Sequence, residues 1–201
     1  MFYRLMYALV TPFYRLLYRF RVYGRENIPA DACVVCANHT SSSDPVFLAL
    51  TLTRKRQLFF MAKVELLRIP VFGFLLSKGG VFAVKRGQSD MNAIKHALGL
   101  LKQGKKLAIF PEGRRVSADE AGEARTGAIM LASRTKSPVL PVYITKGRKH
   151  LFKRVNCIVG QPYFPGGGEK LNPERYHALA DELMKKIYTL PDSVQTSKKL
   201  K

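Results

Sequence analysis

Two residues able to move a proton stand five apart in a polar stretch: His39 and Asp44 of Asn38-His39-Thr40-Ser41-Ser42-Ser43-Asp44-Pro45. A neutral imidazole takes a proton near neutral pH. A carboxylate on its Nδ1–H presents Nε2 as the base. A positioned base of this kind is worth about 10²–10⁴-fold in rate. On one helix the two side chains would point about 140° apart. They meet only where the chain bends, and a Ser/Thr-rich loop permits the bend. Ser41, Ser42 and Ser43 share that loop with no Gly-x-Ser-x-Gly elbow, so they read as hydrogen bonders of the loop and helix start.

The elements that must hold this loop are legible on both sides. Cys33-Val34-Val35-Cys36-Ala37 is an apolar run of strand length, and Val46-Phe47-Leu48-Ala49-Leu50 continues as a helix. Asp44 as N-cap and Pro45 as first helical residue mark the helix start. His39 then falls just past a strand's carboxyl end, where open α/β sheets carry their ligands. Further strands are expected at 57–62, 81–84, 106–110, 139–145 and 154–160, with a short one from Val22 before a turn at Pro29. A helix capped by Ser89 or Asp90 puts Met91, Ile94, Ala97, Leu98 and Leu101 on one face and stops at Gly104. Others are expected at 127–135 and 172–188, the last burying Tyr176, Leu179, Ala180, Leu183 and Ile187. Strands alternating with helices predict a single α/β domain, a mixed and largely parallel sheet flanked by helices. Residues 66–76 are apolar apart from Arg68 and Pro70, and read either as a core helix or as a lip dipping into lipid.

Behind His39-x4-Asp44 come, in order, Gly80-Val81-Phe82-Ala83-Val84-Lys85-Arg86, Phe110-Pro111-Glu112-Gly113-Arg114-Arg115 and Val139-Leu140-Pro141-Val142. With these the sequence resembles the glycerolipid acyltransferases, most closely the bacterial lysophosphatidate type, from about Val22 to Pro162. Its most specific part is the pairing of Asn38-His39…Asp44 with Phe110-Pro111-Glu112-Gly113. The resemblance implies an enzyme that moves a fatty acyl group from a thioester to the free hydroxyl of lysophosphatidate (1-acyl-sn-glycerol-3-phosphate), giving phosphatidate in phospholipid biosynthesis. The donor would be an acyl-carrier-protein or coenzyme A thioester, with no other cofactor and no metal. His39 would be the base and Asp44 its partner, and direct attack by the acceptor hydroxyl is expected in place of an acyl-serine.

Arg86, Arg115 and Lys63 stand at or just beyond strand ends as candidate phosphate ligands, and arginine's planar fork suits bidentate binding. Lys63 two residues before Glu65 repeats a family feature, and Arg125 falls where the family carries a lysine. Glu112, with Gly113 a substrate-binding candidate, either holds the arginines in place or accepts a hydrogen bond from the acceptor's glycerol hydroxyl. Pro141 and its neighbours read as an apolar wall for the acyl chain or as core strand. Lys85 stands where an acidic residue is frequent, and Arg114 and Val116 stand where Thr and Ser are usual. These departures leave His39, Asp44, Glu112 and Arg115 intact. They leave room for another acceptor: a different lysophospholipid, a glycerol phosphate or an acylated amino acid.

Charge points the same way. The 201 residues carry a net charge of +20, and twelve Lys or Arg fall between Pro45 and Pro111 against only Glu65 and Asp90. Such a field attracts phosphate, whether on lipid headgroups, an acidic carrier or nucleic acid. Nucleic acid is disfavoured, because no recognition motif is present and the aromatics cluster with leucine at the N-terminus. Residues 1–21 have no acidic side chain, and Arg4, Arg15, Arg19 and Arg21 lie among aromatic and aliphatic neighbours. That pattern fits an amphipathic helix in the interface of an anionic membrane, with a helix packed on the domain as the competing reading. Pro12 is expected to kink or split it. The charge-free run 5–14 is far short of the ~20 apolar residues of a spanning helix, and no signal-peptide cleavage site follows. Three cysteines make no disulfide framework, and Cys33 and Cys36 would point to opposite faces of one strand. A reducing compartment follows. The expected organisation is an interface segment at 1–21, a domain at 22–190 and a mobile basic tail at 191–201, in a peripheral or monotopic protein on the cytoplasmic face of the cell membrane.

Overall fold

Each strand expected from the sequence finds a partner in one sheet. The computed structural model describes residues 2–52, 57–85, 90–117, 122–145, 152–168 and 171–199. Its strands are β1 (Arg19–Tyr23), β2 (Cys33–Ala37), β3 (Leu58–Lys63), β4 (Val81–Val84), β5 (Lys106–Ile109), β6 (Val139–Ile144) and β7 (Arg154–Val159). They lie in the order β1-β7-β6-β2-β5-β3-β4. β2 runs parallel to both β5 and β6, and β3 parallel to both β5 and β4. β7 is antiparallel to β6, and β1 runs parallel to β7. This is the mixed, largely parallel sheet that the alternation of elements predicts. Because β2 to β6 share one direction, the loops after them open at a single edge.

β2 sits at the centre, buried on both faces, which is why it reads as an unbroken apolar run. Cys33, Val35 and Ala37 face Phe47, Leu48 and Leu52 of α2 (Asp44–Thr51) and the turn after it. Val34 and Cys36 face Ala97 and Leu101 of α5 (Met91–Lys102), Ile129 and Ala132 of α6 (Gly127–Thr135), and Leu183 and Ile187 of α7 (Pro173–Lys199). The two cysteines therefore belong to opposite cores, and all three in the chain are buried and outside any disulfide. Burial pushes the Cys36 thiol well up. Asp90 caps α5 by accepting from the Ala93 N–H at 3.1 Å, while Ser89 lies outside the described residues.

The N-terminal segment both packs and stays exposed. α1 (Phe2–Leu17) is one continuous helix with Pro12 inside it, so of the expected kink or split the split is not found. Its Tyr14 meets Phe47 edge-on at 5.4 Å between ring centroids, joined by Tyr18 at 5.1 Å. The Tyr7 hydroxyl donates to the Leu52 carbonyl at 2.8 Å. The opposite face presents Leu5, Leu9, Phe13 and Leu16 to solvent, Leu16 being 76% exposed. The helix ends before 21: residues 19–21 enter the sheet in β1, paired with β7.

Residues 66–76 are not a core helix. They make up the end of α3 (Val64–Leu67), the bend at 68–71 and most of α4 (Phe72–Lys78), with Ile69, Phe72 and Phe74 exposed and Val71 74% exposed. Phe2 and Phe74 touch edge to face at 6.5 Å, so this bend and the outer face of α1 are neighbours. Among the described residues no helix is long and apolar enough to cross a membrane. α7 continues through Pro191 to Lys199, where a mobile tail from 191 was expected. A single proline removes one amide donor, and the ladder resumes on either side of it.

Candidate active site

Asn38 follows β2 and is fully buried. Its amide donates to the Ile144 carbonyl at 2.9 Å and accepts from the Ile144 N–H at 2.7 Å. The side chain thus extends the β2–β6 pairing past the end of β2 and fixes where the chain leaves the sheet. A buried polar group needs such partners.

His39 comes next. Its Nδ1 lies 3.2 Å from Oδ2 of Asp44, and that oxygen also accepts from the N–H groups of Thr40 at 2.7 Å and Ser41 at 2.6 Å. An ionised carboxylate can only accept, so Nδ1 carries the proton and the lone pair sits on Nε2. The Asp44 side chain is fully buried while that of His39 is 13% exposed, so the imidazole retains an open edge. Asp44 is not the N-cap expected. Ser43 takes the cap position without a side-chain hydrogen bond to the helix end, and Asp44 is the first helical residue, turned back onto the loop. Two loop amides and an imidazole offer it three donors, more than a helix end would. Ser41 and Ser43 hydrogen-bond each other at 2.9 Å, in keeping with a loop-building role.

The turn after β5 closes over this loop. The Phe110 ring stacks on the His39 imidazole, with centroids 4.1 Å apart. The Gly113 N–H donates to the Phe110 carbonyl at 2.9 Å, and the Val116 N–H donates to the His39 carbonyl at 3.0 Å. Gly113 has φ 68°, a conformation that favours glycine, and a Cβ there would lie 3.3 Å from Cγ of Arg125. The Arg125 N–H donates to the Pro111 carbonyl at 2.8 Å, so Arg125 lies across the turn.

Glu112 is 3% exposed. Its Oε1 accepts from the Tyr188 hydroxyl at 2.8 Å, and Oε2 is buried without a hydrogen-bond partner. Burial pushes the Glu112 carboxyl up to about 7. The Tyr188 hydroxyl and the backbone N–H groups of His39 and Glu112 pull the other way, and the Asp44 charge adds to the rise. Burial and the Glu112 charge drive the Tyr188 hydroxyl up in turn. A Cβ on Gly122 would come within 2.6 Å of Glu112 Cγ, so the glycine lets the backbone close over the carboxylate. Among the described residues Glu112 makes no ion pair with an arginine; the brace of arginines expected as one of its roles is not the arrangement found.

Lys63 ends β3 at the same edge of the sheet and is exposed, as are Arg115 and Arg125. Arg86 lies outside the described residues. Among those described, no group of three or more His, Cys, Asp or Glu is placed to hold a metal. Sequence reasoning gave no role to Asn38, Phe110 or Tyr188. A polar residue closing a wholly apolar strand was a signal for Asn38. Nothing local marked Tyr188.

A mixed, largely parallel sheet thus presents an Asp-oriented histidine at the carboxyl end of β2, under a turn that holds a buried carboxylate. The Acyltransferase family model matches residues 19–145, and the chain belongs to that family. It is 31% identical over 180 residues to the 1-acyl-sn-glycerol-3-phosphate acyltransferase of Bacillus subtilis, covering 87% of this chain and 89% of that one. It is 30% identical over 167 residues to the enzyme of the same name from Streptococcus pneumoniae, covering 81% of this chain and 61% of that one. The crystal structure of the 1-acyl-sn-glycerophosphate (LPA) acyltransferase PlsC from Thermotoga maritima is similar, with a TM-score of 0.66 and 27% identity over 86% of this chain and 72% of that one.

Proposed function

We propose that the protein transfers a fatty acyl group from a thioester to the free hydroxyl of 1-acyl-sn-glycerol-3-phosphate, giving phosphatidate. The observation that carries this reading is the contact of His39 Nδ1 with Asp44 at 3.2 Å, at the carboxyl edge of the sheet. Nε2 of His39 takes the proton of the acceptor hydroxyl as its oxygen attacks the thioester carbonyl. Asp44 steadies the imidazolium. The tetrahedral intermediate collapses, the C–S bond breaks, and the imidazolium returns the proton to the leaving thiolate. Lys63, Arg86, Arg115 and Arg125 hold the acceptor phosphate, while Glu112 and Gly113 shape the turn beside it. An acyl-carrier protein or coenzyme A presents the acyl chain.

The acceptor lives in a bilayer, and the protein works at its surface, on the cytoplasmic face. Support comes from the exposed apolar side chains of α1 and of the α3–α4 bend, meeting at Phe2 and Phe74. The +20 charge adds attraction for anionic headgroups, worth about 1 kcal/mol for each Lys or Arg near the surface.

The test is a panel: purified protein, several lysolipids, glycerol 3-phosphate, and both thioester donors, with products followed by mass spectrometry. Phosphatidate formed from lysophosphatidate by the wild type and not by His39→Ala is the expected result. Product from a different acceptor alone overturns the substrate assignment, and an acyl-serine trapped at Ser41, Ser42 or Ser43 overturns direct attack.

A further inference from the structure

Tyr188 lies on α7, 76 residues beyond Glu112 in sequence, yet its hydroxyl holds one oxygen of that carboxylate at 2.8 Å. Its ring sits edge-on to Tyr143 of β6, with centroids 6.4 Å apart, so the hydroxyl is aimed. Its other oxygen, Oε2, is buried without a hydrogen-bond partner, and the backbone N–H of His39 and the charge of Asp44 both act on the carboxylate from the His39 side. Two more links tie the Glu112 turn to the His39 loop: the Val116 N–H to the His39 carbonyl, and the stack of Phe110 on the imidazole. A buried carboxylate relieved of a donor turns or takes up a proton, and either change reaches the loop it faces.

We infer that Tyr188 is a positioning residue for acyl transfer, holding Glu112 beneath the His39 loop and so setting the placement of the imidazole. This rests on the reading of His39 as general base. Among the described residues the titratable and charged groups around Glu112 are His39, Asp44 from α2, Tyr188 with Tyr143 behind it, and Arg125 over the neighbouring Gly113.

The test is Tyr188→Phe in the full chain, alone and with Glu112→Gln. A misplaced base costs roughly ten- to hundredfold. Tyr188→Phe should therefore lower kcat by that much while leaving KM for acceptor and donor within about twofold. The acid limb of the pH–rate profile should move to higher pH, because the lost hydroxyl favoured the ionised carboxylate. In the Glu112→Gln background the same change should add less than about twofold and leave the limb in place. A kcat within twofold of wild type, or effects of the two substitutions that multiply, overturns the inference. If Tyr188→Phe loses its cooperative melt, Glu112→Gln alone decides, since a kcat unchanged by it leaves Tyr188 nothing to act through. A wild type inactive on every acceptor would instead refute the general-base reading. The imidazole ¹H–¹⁵N resonances of His39, assigned with His39→Ala, then settle the coupling without turnover: a shift on Tyr188→Phe supports it, and an unmoved resonance overturns it.

Discussion

The imidazole of His39 lies nearly flat on the ring of Phe110, with 4.1 Å between centroids and 21° between planes. Asp44 fixes one nitrogen and the stack fixes the plane, which together leave Nε2 one direction. The phenyl face would also favour the imidazolium formed if His39 acts as the proposed base. Phe110→Leu keeps apolar volume and loses the stack, worth about 0.5–1.5 kcal/mol beyond its buried area. Steady-state kinetics should show kcat down about tenfold with both KM values held and only a small fall in Tm.

Asp44 accepts from three donors through one oxygen. Asp44→Asn keeps the size and removes the charge that holds Nδ1–H in place. The expected loss in kcat is about 10²–10⁴-fold, because the favoured tautomer changes. Loop amides left poorly paired should also cost about 1–3 kcal/mol in urea unfolding. His39→Ala, by contrast, should abolish transfer with the fold retained.

Glu112 gives stability a pH dependence of defined sign. Its folded carboxyl is raised from 4.5 to about 7, so the folded state binds the proton more tightly than the unfolded chain. The contribution is fully present below pH 4.5 and is lost as pH rises through about 7. A shift of that size is on the order of 3 kcal/mol. Glu112→Gln lacks the titration, so its stability relative to wild type should climb between pH 5 and pH 8. Equal denaturant midpoints for the two proteins at both pH values would count against a raised carboxyl.

If the protein attaches to membranes as proposed, the outer face of α1 is the part to alter. Removing residues 1–21 would cut into β1 and take away Tyr14 and Tyr18, which pack on Phe47. Leu9→Gln with Leu16→Gln leaves those contacts in place. The double variant should stay in the supernatant when anionic vesicles are pelleted at moderate salt, with Tm unchanged. Continued pelleting would move the anchor to the α3–α4 bend.

Arg115 is exposed and makes no ion pair with Glu112. If it grips the acceptor phosphate, Arg115→Ala should raise the acceptor's KM about ten- to hundredfold, the equivalent of a charge-assisted bond of about 1.5–3 kcal/mol. The donor's KM should hardly move. Arg115→Lys keeps the charge without the fork and should recover only part of the loss. A defect shared equally by both substrates, found by varying each separately, rules out the phosphate role.

The sequence by itself determined what depends on neighbours a few residues away. Runs such as Cys33-Val34-Val35-Cys36-Ala37 are strands because a buried central strand must be apolar on both faces, and that pattern is local. The seat of His39 past a strand end and the helix at 127–135 follow from the same short-range rules. Only the tertiary structure decided that Asp44 turns back to the loop, because its choice between capping α2 and serving three loop donors depends on where the loop lies. It alone decided that residues 66–76 stay outside the core, since an apolar run carries no label for the surface that will cover it. It also set Asn38 against Ile144 and Tyr188 against Glu112, pairs 106 and 76 residues apart. The order in which parallel strands assemble brings such side chains together, and no spacing along the chain encodes their meeting.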